Sequence, residues 1–81
     1  MIGAEEFKHT VARRIIKLRF ERGMTAKQLA DKLFVSAQTV RNWEKAKYEF
    51  TARDAVALAE VFGVDVKEIV GDWRTKGNVN R

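Results

Sequence analysis

Four times in this chain a hydroxyl or carboxylate residue stands immediately before an apolar segment. Three of the four have an acid or amide three residues further on: Thr25 with Gln28, Thr51 with Asp54, Asp65 with Glu68; Ser36 is the fourth. An oxygen at such a position accepts a backbone N–H of a helix's first turn, and an acid or amide at the third helical position returns the bond. Met24 and Leu29, Val35 and Val40, and Val64 and Ile69 bracket three of these caps as hydrophobic staples. Gly23, Gly63 and Gly71 stand where helices should stop, because glycine takes the left-handed conformation of a C-terminal cap. Proline is absent and no alternating strand pattern is evident, so the spacing predicts five helices over 4–22, 26–33, 37–46, 52–62 and 66–71.

The predicted fold class is therefore all-α, a compact five-helix bundle. Its expected core comes from Phe7, Val11, Ile15 and Leu18 on the first helix, Ala55, Val56, Leu58, Ala59 and Phe62 on the fourth, and Val66, Ile69 and Val70 on the fifth. Ile16 and Phe20 fall nearly opposite the first stripe. With 81 residues there is room for one domain, read as 1–72, followed by a tail over 73–81. The chain has no cysteine and a single histidine, His9, which excludes a disulfide framework and leaves no metal-ligand set, so packing must hold the fold. No apolar run approaches the roughly 20 residues of a membrane span. Glu5 and Glu6 stand where a signal peptide would carry positive charge, so the chain reads as cytoplasmic.

Charge is unevenly spread within the net +5: residues 8–47 hold 11 Lys or Arg against 3 Asp or Glu, and residues 48–72 hold 2 against 6. Concentrated like charge raises the local potential and attracts a polyanion through its phosphates. No glycine-rich phosphate loop, nucleophile with a base, or metal-ligand spacing is present, so no catalytic residue, cofactor or metal is expected, and His9 reads as a surface residue.

Two short helices joined at Phe34-Val35, the second starting from the cap Ser36, form a helix-turn-helix pattern. Over "MTAKQLADKLFVSAQTVRNWEKAK" the chain resembles the Cro/CI, or XRE-type, family of DNA-binding domains, and the likeness extends from about Ile15 to Val70, including "LAEVFGVDVKEIV". The resemblance implies a lambda repressor-like fold with Leu29, Ala30, Val40 and Trp43 as scaffold, and a salt bridge between Arg19 and Glu44. It implies base contacts from Ser36, Ala37, Gln38, Arg41 and Asn42. Amides suit adenine, an arginine suits guanine or a phosphate, and an alanine methyl suits thymine. Thr25, Lys27, Lys45, Lys47 and Tyr48 would contact phosphates, which positions a domain without reading sequence. The function implied is that of a small phage or mobile-element regulator, a repressor binding operator DNA as a homodimer; an antitoxin and a restriction-modification controller are the close alternatives.

This sequence departs from the family pattern at Phe34, where glycine is usual, at Ala26, where glutamine is common, and at Phe50, where proline precedes the fourth helix. With Ala37 and the apolar pair Ile16 and Phe20, the first two of these motivate a second class of function, a protein-binding module that keeps the scaffold. For an interface, Ile69, Val70 and Trp73 are candidates by family analogy and Ile16 and Phe20 by expected exposure.

Overall fold

The first helix, α1, runs Ala4–Glu21 and carries Val11, Ile15 and Leu18 inward at helical spacing. The structure, a computed structural model, describes residues 4–47 and 50–71. Four further helices follow: α2 Ala26–Leu33, α3 Ala37–Glu44, α4 Ala52–Phe62 and α5 Lys67–Val70. The all-α architecture expected from the sequence is present, and α2 and α4 have the predicted bounds. Helix α1 ends one residue earlier than predicted and α3 two. Helix α5 is shorter at both ends: Val66 occupies its cap and Gly71 leaves at φ 71°, ψ −152°.

The caps explain the starts. The Thr25 hydroxyl accepts the Gln28 N–H at 3.0 Å and the Gln28 side-chain oxygen accepts the Thr25 N–H at 2.9 Å. Thr51 and Asp54 reproduce this reciprocal pair at 3.1 and 3.0 Å. Ser36 accepts the Thr39 N–H at 3.1 Å, and the Asp65 carboxylate accepts the Lys67 N–H at 2.9 Å. Each bond satisfies a donor that the first helical turn leaves without a partner.

One core joins all five helices. Val11, Ile15 and Leu18 of α1 meet Leu29 and Ala30 of α2, Val40 and Trp43 of α3, Ala55, Leu58, Ala59 and Phe62 of α4, and Ile69 and Val70 of α5. Helix α3 lies against both α2 and α1, whereas α5 lies against α1 and α4. Phe50 packs edge-on against Trp43, with ring centroids 5.6 Å apart, and against Phe7 at 6.4 Å. Where the family keeps a proline, this chain thus supplies an aromatic that ties the α3–α4 connection to α1.

Two expectations about the apolar residues need correction. Val56, expected in the core, is 51% exposed, because its position on α4 turns it away from the Ala55–Leu58–Phe62 stripe. Ile69 and Val70, named as interface residues, are 0% and 5% exposed and fill the space between α5 and its neighbours. Their apolar surface is consumed inside the chain.

Candidate nucleic-acid interface

The turn between α2 and α3 is built on an unusual residue. Phe34 holds φ 60°, ψ 40°, the left-handed conformation that glycine ordinarily supplies. It is stabilised by the Val35 N–H donating to the Ala30 carbonyl at 3.0 Å and the Phe34 N–H donating to Asp31 at 3.3 Å. Val35 then packs against the core, while the Phe34 ring is 94% exposed. The departure from glycine therefore leaves the turn's geometry intact and places an aromatic side chain in solvent.

Helix α3 begins at this turn, and its side chains divide sharply. Val40 and Trp43 are buried; Ala37 is half-buried and packs on the core, so only part of its methyl faces out. The Ser36 oxygen caps the helix and shares a 3.0 Å hydrogen bond with the Thr39 hydroxyl, which commits it to the helix start. Gln38 and Asn42 lie one turn apart, and the Gln38 Nε2 donates to the Asn42 Oδ1 at 3.0 Å. The bond leaves the Gln38 Oε1 and both Asn42 N–H groups pointing to no other protein group among the described residues. A linked acceptor and donor pair on the outer face results.

The charges are sorted by the same geometry. Glu44, the only acid on α3, is drawn against α1, where the Arg19 Nε donates to its Oε2 at 2.7 Å and the Arg19 Nη2 to its Oε1 at 3.0 Å. Both side chains are nearly buried, at 13% and 11% exposure. The Arg19 Nη1 also donates to the Met24 carbonyl at 2.9 Å, and the guanidinium lies 4.9 Å from the centroid of the Phe20 ring. The hydrogen bond with Glu44, and secondarily its charge, raise the Arg19 pKa against the opposing effect of burial. Arg41, Lys45 and Lys47 are exposed and make no ion pair or side-chain hydrogen bond among the described residues. With its acid neutralised, the outer face of α3, together with Lys45 and Lys47, presents positive charge alone among the described residues.

The remaining candidates fall as follows. Thr25 is spent in its reciprocal cap, and Lys27 forms an exposed pair with Asp31 at 3.3 Å. Such a pair is worth a few tenths of a kcal/mol and exchanges readily for a phosphate. Tyr48 and Trp73 lie outside the described residues. Ile16 is half-buried and Phe20 is 67% exposed, its ring against Arg19. His9 is at the surface, 3.8 Å from Glu5. The linkage of Gln38 to Asn42 escaped the sequence reading although its signal was present, since residues four apart are helical neighbours. The stacking of Phe20 on Arg19 carries no periodic signal. Among the described residues no helix is long and apolar enough to cross a membrane, and no group of three His, Cys, Asp or Glu could hold a metal.

Comparison with known proteins bears on the same region. The helix-turn-helix family matches residues 15–69. No curated protein matches the sequence. Among solved structures, a hypothetical transcription factor, NHTF, from Neisseria is similar in fold, with a TM-score of 0.78 at 16% identity over 91% of this chain and 87% of that one. The clp gene regulator ClgR from Corynebacterium glutamicum gives 0.73 at 17% identity over 91% and 83%. The FeII protein HppE, in complex with its substrate, gives 0.73 at 23% identity, but this chain, covered over 78%, corresponds to only 37% of that one. At such identities the likeness is one of fold.

Proposed function

Because the chain belongs to the helix-turn-helix family of the XRE, or Cro/CI, type, we propose that it is a transcriptional regulator that binds operator DNA with α3 in the major groove. The observation that carries this reading is the outer face of α3: linked amides at Gln38 and Asn42 beside Arg41, Lys45 and Lys47, which make no ion pair among the described residues, with the helix's acid withdrawn to Arg19. Gln38 and Asn42 together match adenine, whose major-groove edge offers one acceptor and one donor; Arg41 reads guanine or holds a phosphate. Ala37 touches a thymine methyl with the part of its surface that is free, and Ser36 serves chiefly as the cap. Thr25, Lys27, Lys45, Lys47 and Tyr48 grip the backbone on either side. Acting as a homodimer on a pseudo-palindromic site, with half-sites about one duplex turn apart, the protein represses by occupying the operator. No step of this function is chemical.

The test is the salt dependence of binding to a duplex. Affinity falls steeply with salt when phosphates are neutralised, and each of Lys45→Ala and Lys47→Ala reduces the log–log slope by about one. A slope near zero for the natural sequence would contradict the reading. One observation favours a second function, docking of a partner protein: the Phe34 ring is 94% exposed at the head of α3. Binding carried by that ring would be insensitive to salt and lost in Phe34→Gly.

A further inference from the structure

On the side of the bundle formed by α1, α4 and α5, Phe7, Phe50, Ala52, Ala55, Val56 and Val70 border an apolar recess of about 280 Å³. No residue of α2 or α3 lines it. Its rim includes the half-exposed Val56, a valine that points out of the core into this hollow. An apolar cavity of about 150 Å³ accommodates a benzene ring. This one is nearly twice that volume and suits a bicyclic aromatic.

The chain is delivered to this place by Gly71. That residue is buried, and its φ of 71° with ψ −152° is a conformation essentially restricted to glycine. A Cβ there would lie 3.6 Å from the Thr10 methyl and from the Arg14 guanidinium, so the main chain runs close against α1 one turn from Phe7. Arg14 holds the same corner, its Nη1 donating to the Glu68 carbonyl at 3.1 Å. Trp73 follows only two residues later and is the sole aromatic in 72–81, where Val79 is the only other large apolar residue. Its Cα lies no further than about 11 Å from that of Val70, which itself lines the recess.

We propose that the indole of Trp73 from the same chain fills this recess, clasping α1, α4 and α5 together on a side of the bundle that α3 does not share. Tethering decides between this occupant and a second copy, because a short linker presents its side chain at an effective concentration in the mM range. The first residues of the segment read as a tail then belong to the domain, and the recess is closed to outside partners.

The test uses the full chain labelled with fluorinated tryptophan and observed by fluorine NMR, the two resonances assigned through Trp73→Phe. A solvent-exposed fluorine shifts between light and heavy water and a buried one does not. The inference expects neither Trp43 nor Trp73 to shift in the folded chain. In Val56→Glu, a change at an exposed α4 position, Trp73 should gain the shift it shows in denaturant while Trp43 keeps its native resonance. A full solvent shift at Trp73 in the unmodified folded chain would overturn the inference, as would a Trp73 that stays protected in Val56→Glu. Protection that vanishes on dilution to concentrations where the chain sediments as a monomer would overturn it in favour of a second copy.

Discussion

At Arg19 one guanidinium serves three partners: it grips Glu44 with two nitrogens, donates to the Met24 carbonyl, and lies under the Phe20 ring. The arrangement fixes α3 to α1 and removes an acid from the outer face of α3. Breaking it from one side leaves the other charge nearly buried and unpaired, which is costly, whereas removing both relieves that penalty. Arg19→Met is therefore expected to lose about 2–3 kcal/mol in urea unfolding, and Arg19→Met with Glu44→Met less than the sum of the single changes. Additive losses would mean the two charges do not interact. The raised pKa of Arg19 contributes stability that is fully present below its unfolded value and lost only as pH climbs through the folded one. That window lies in strong alkali, so this group makes stability flat across the neutral range. A different residue-scale tension sits at Phe34 and Ala46, which hold φ 60° and 57°. A left-handed conformation costs an L-residue roughly 1–2 kcal/mol, part of which glycine gives back through its freer unfolded chain. Phe34→Gly should thus raise stability by about 0.5–1 kcal/mol; a loss would show that the exposed ring is held by contacts within the chain.

Helix ends show why some elements were legible and others were not. Four helices finish in the same way, with paired backbone bonds closing on a left-handed residue: Gly23 after α1, Phe34 after α2, Ala46 after α3 and Gly63 after α4. The two glycines announced their stops in the sequence. The phenylalanine and alanine did not, because nothing in their side chains favours the conformation; packing of Val35 against the core and the bond from the Lys47 N–H to the Asn42 carbonyl impose it. Helix α3 therefore ends two residues before the position the spacing predicts. The starts of α2, α3 and α4 are readable because each rests on a side-chain oxygen at the cap, whereas α5 begins one residue later than its spacing predicts, behind Val66, whose side chain makes no capping bond. Loss of such a cap costs about 1 kcal/mol, so Thr25→Ala, Ser36→Ala and Thr51→Ala should each destabilise by that amount in thermal or urea unfolding. Ser36→Ala carries a second readout. If the hydroxyl serves only as the cap, the variant selects the same DNA sequence as the natural chain; a changed sequence would mean that Ser36 also reads a base.

For the whole molecule, thirteen of the described residues, drawn from all five helices, make a single core, and α2, α3, α4 and α5, of 8, 8, 11 and 4 residues, are too short to persist alone. Cutting Ile15 or Leu29 to alanine should cost about 2–5 kcal/mol, a large share of the total for a domain this size, and be seen as unfolding of every helix together by circular dichroism. A loss confined to one helix would contradict a shared core. The stripes at spacings of three and four made most of this core visible beforehand. Val56 lies outside the core because Ala55 and Leu58 define the buried arc, and in the sequence a valine beside that arc looks the same as one within it. Spacing places Ile69 and Val70 in the core while family analogy offers them to an interface; their burial within the chain agrees with the spacing, and four residues of helix carry too little pattern to decide between the two from sequence alone. The candidate site was legible as a set of positions on α3, but its organisation into linked amides and a withdrawn acid depends on side chains meeting across a turn and across helices. Selection from random duplexes at near-physiological salt, comparing the natural chain with the double variant Gln38→Ala, Asn42→Ala, tests whether this face of α3 reads DNA sequence. The natural chain is expected to enrich a pseudo-palindromic site whose adenine positions the double variant no longer selects. Equal enrichment by both proteins, or none by the natural chain, would contradict it.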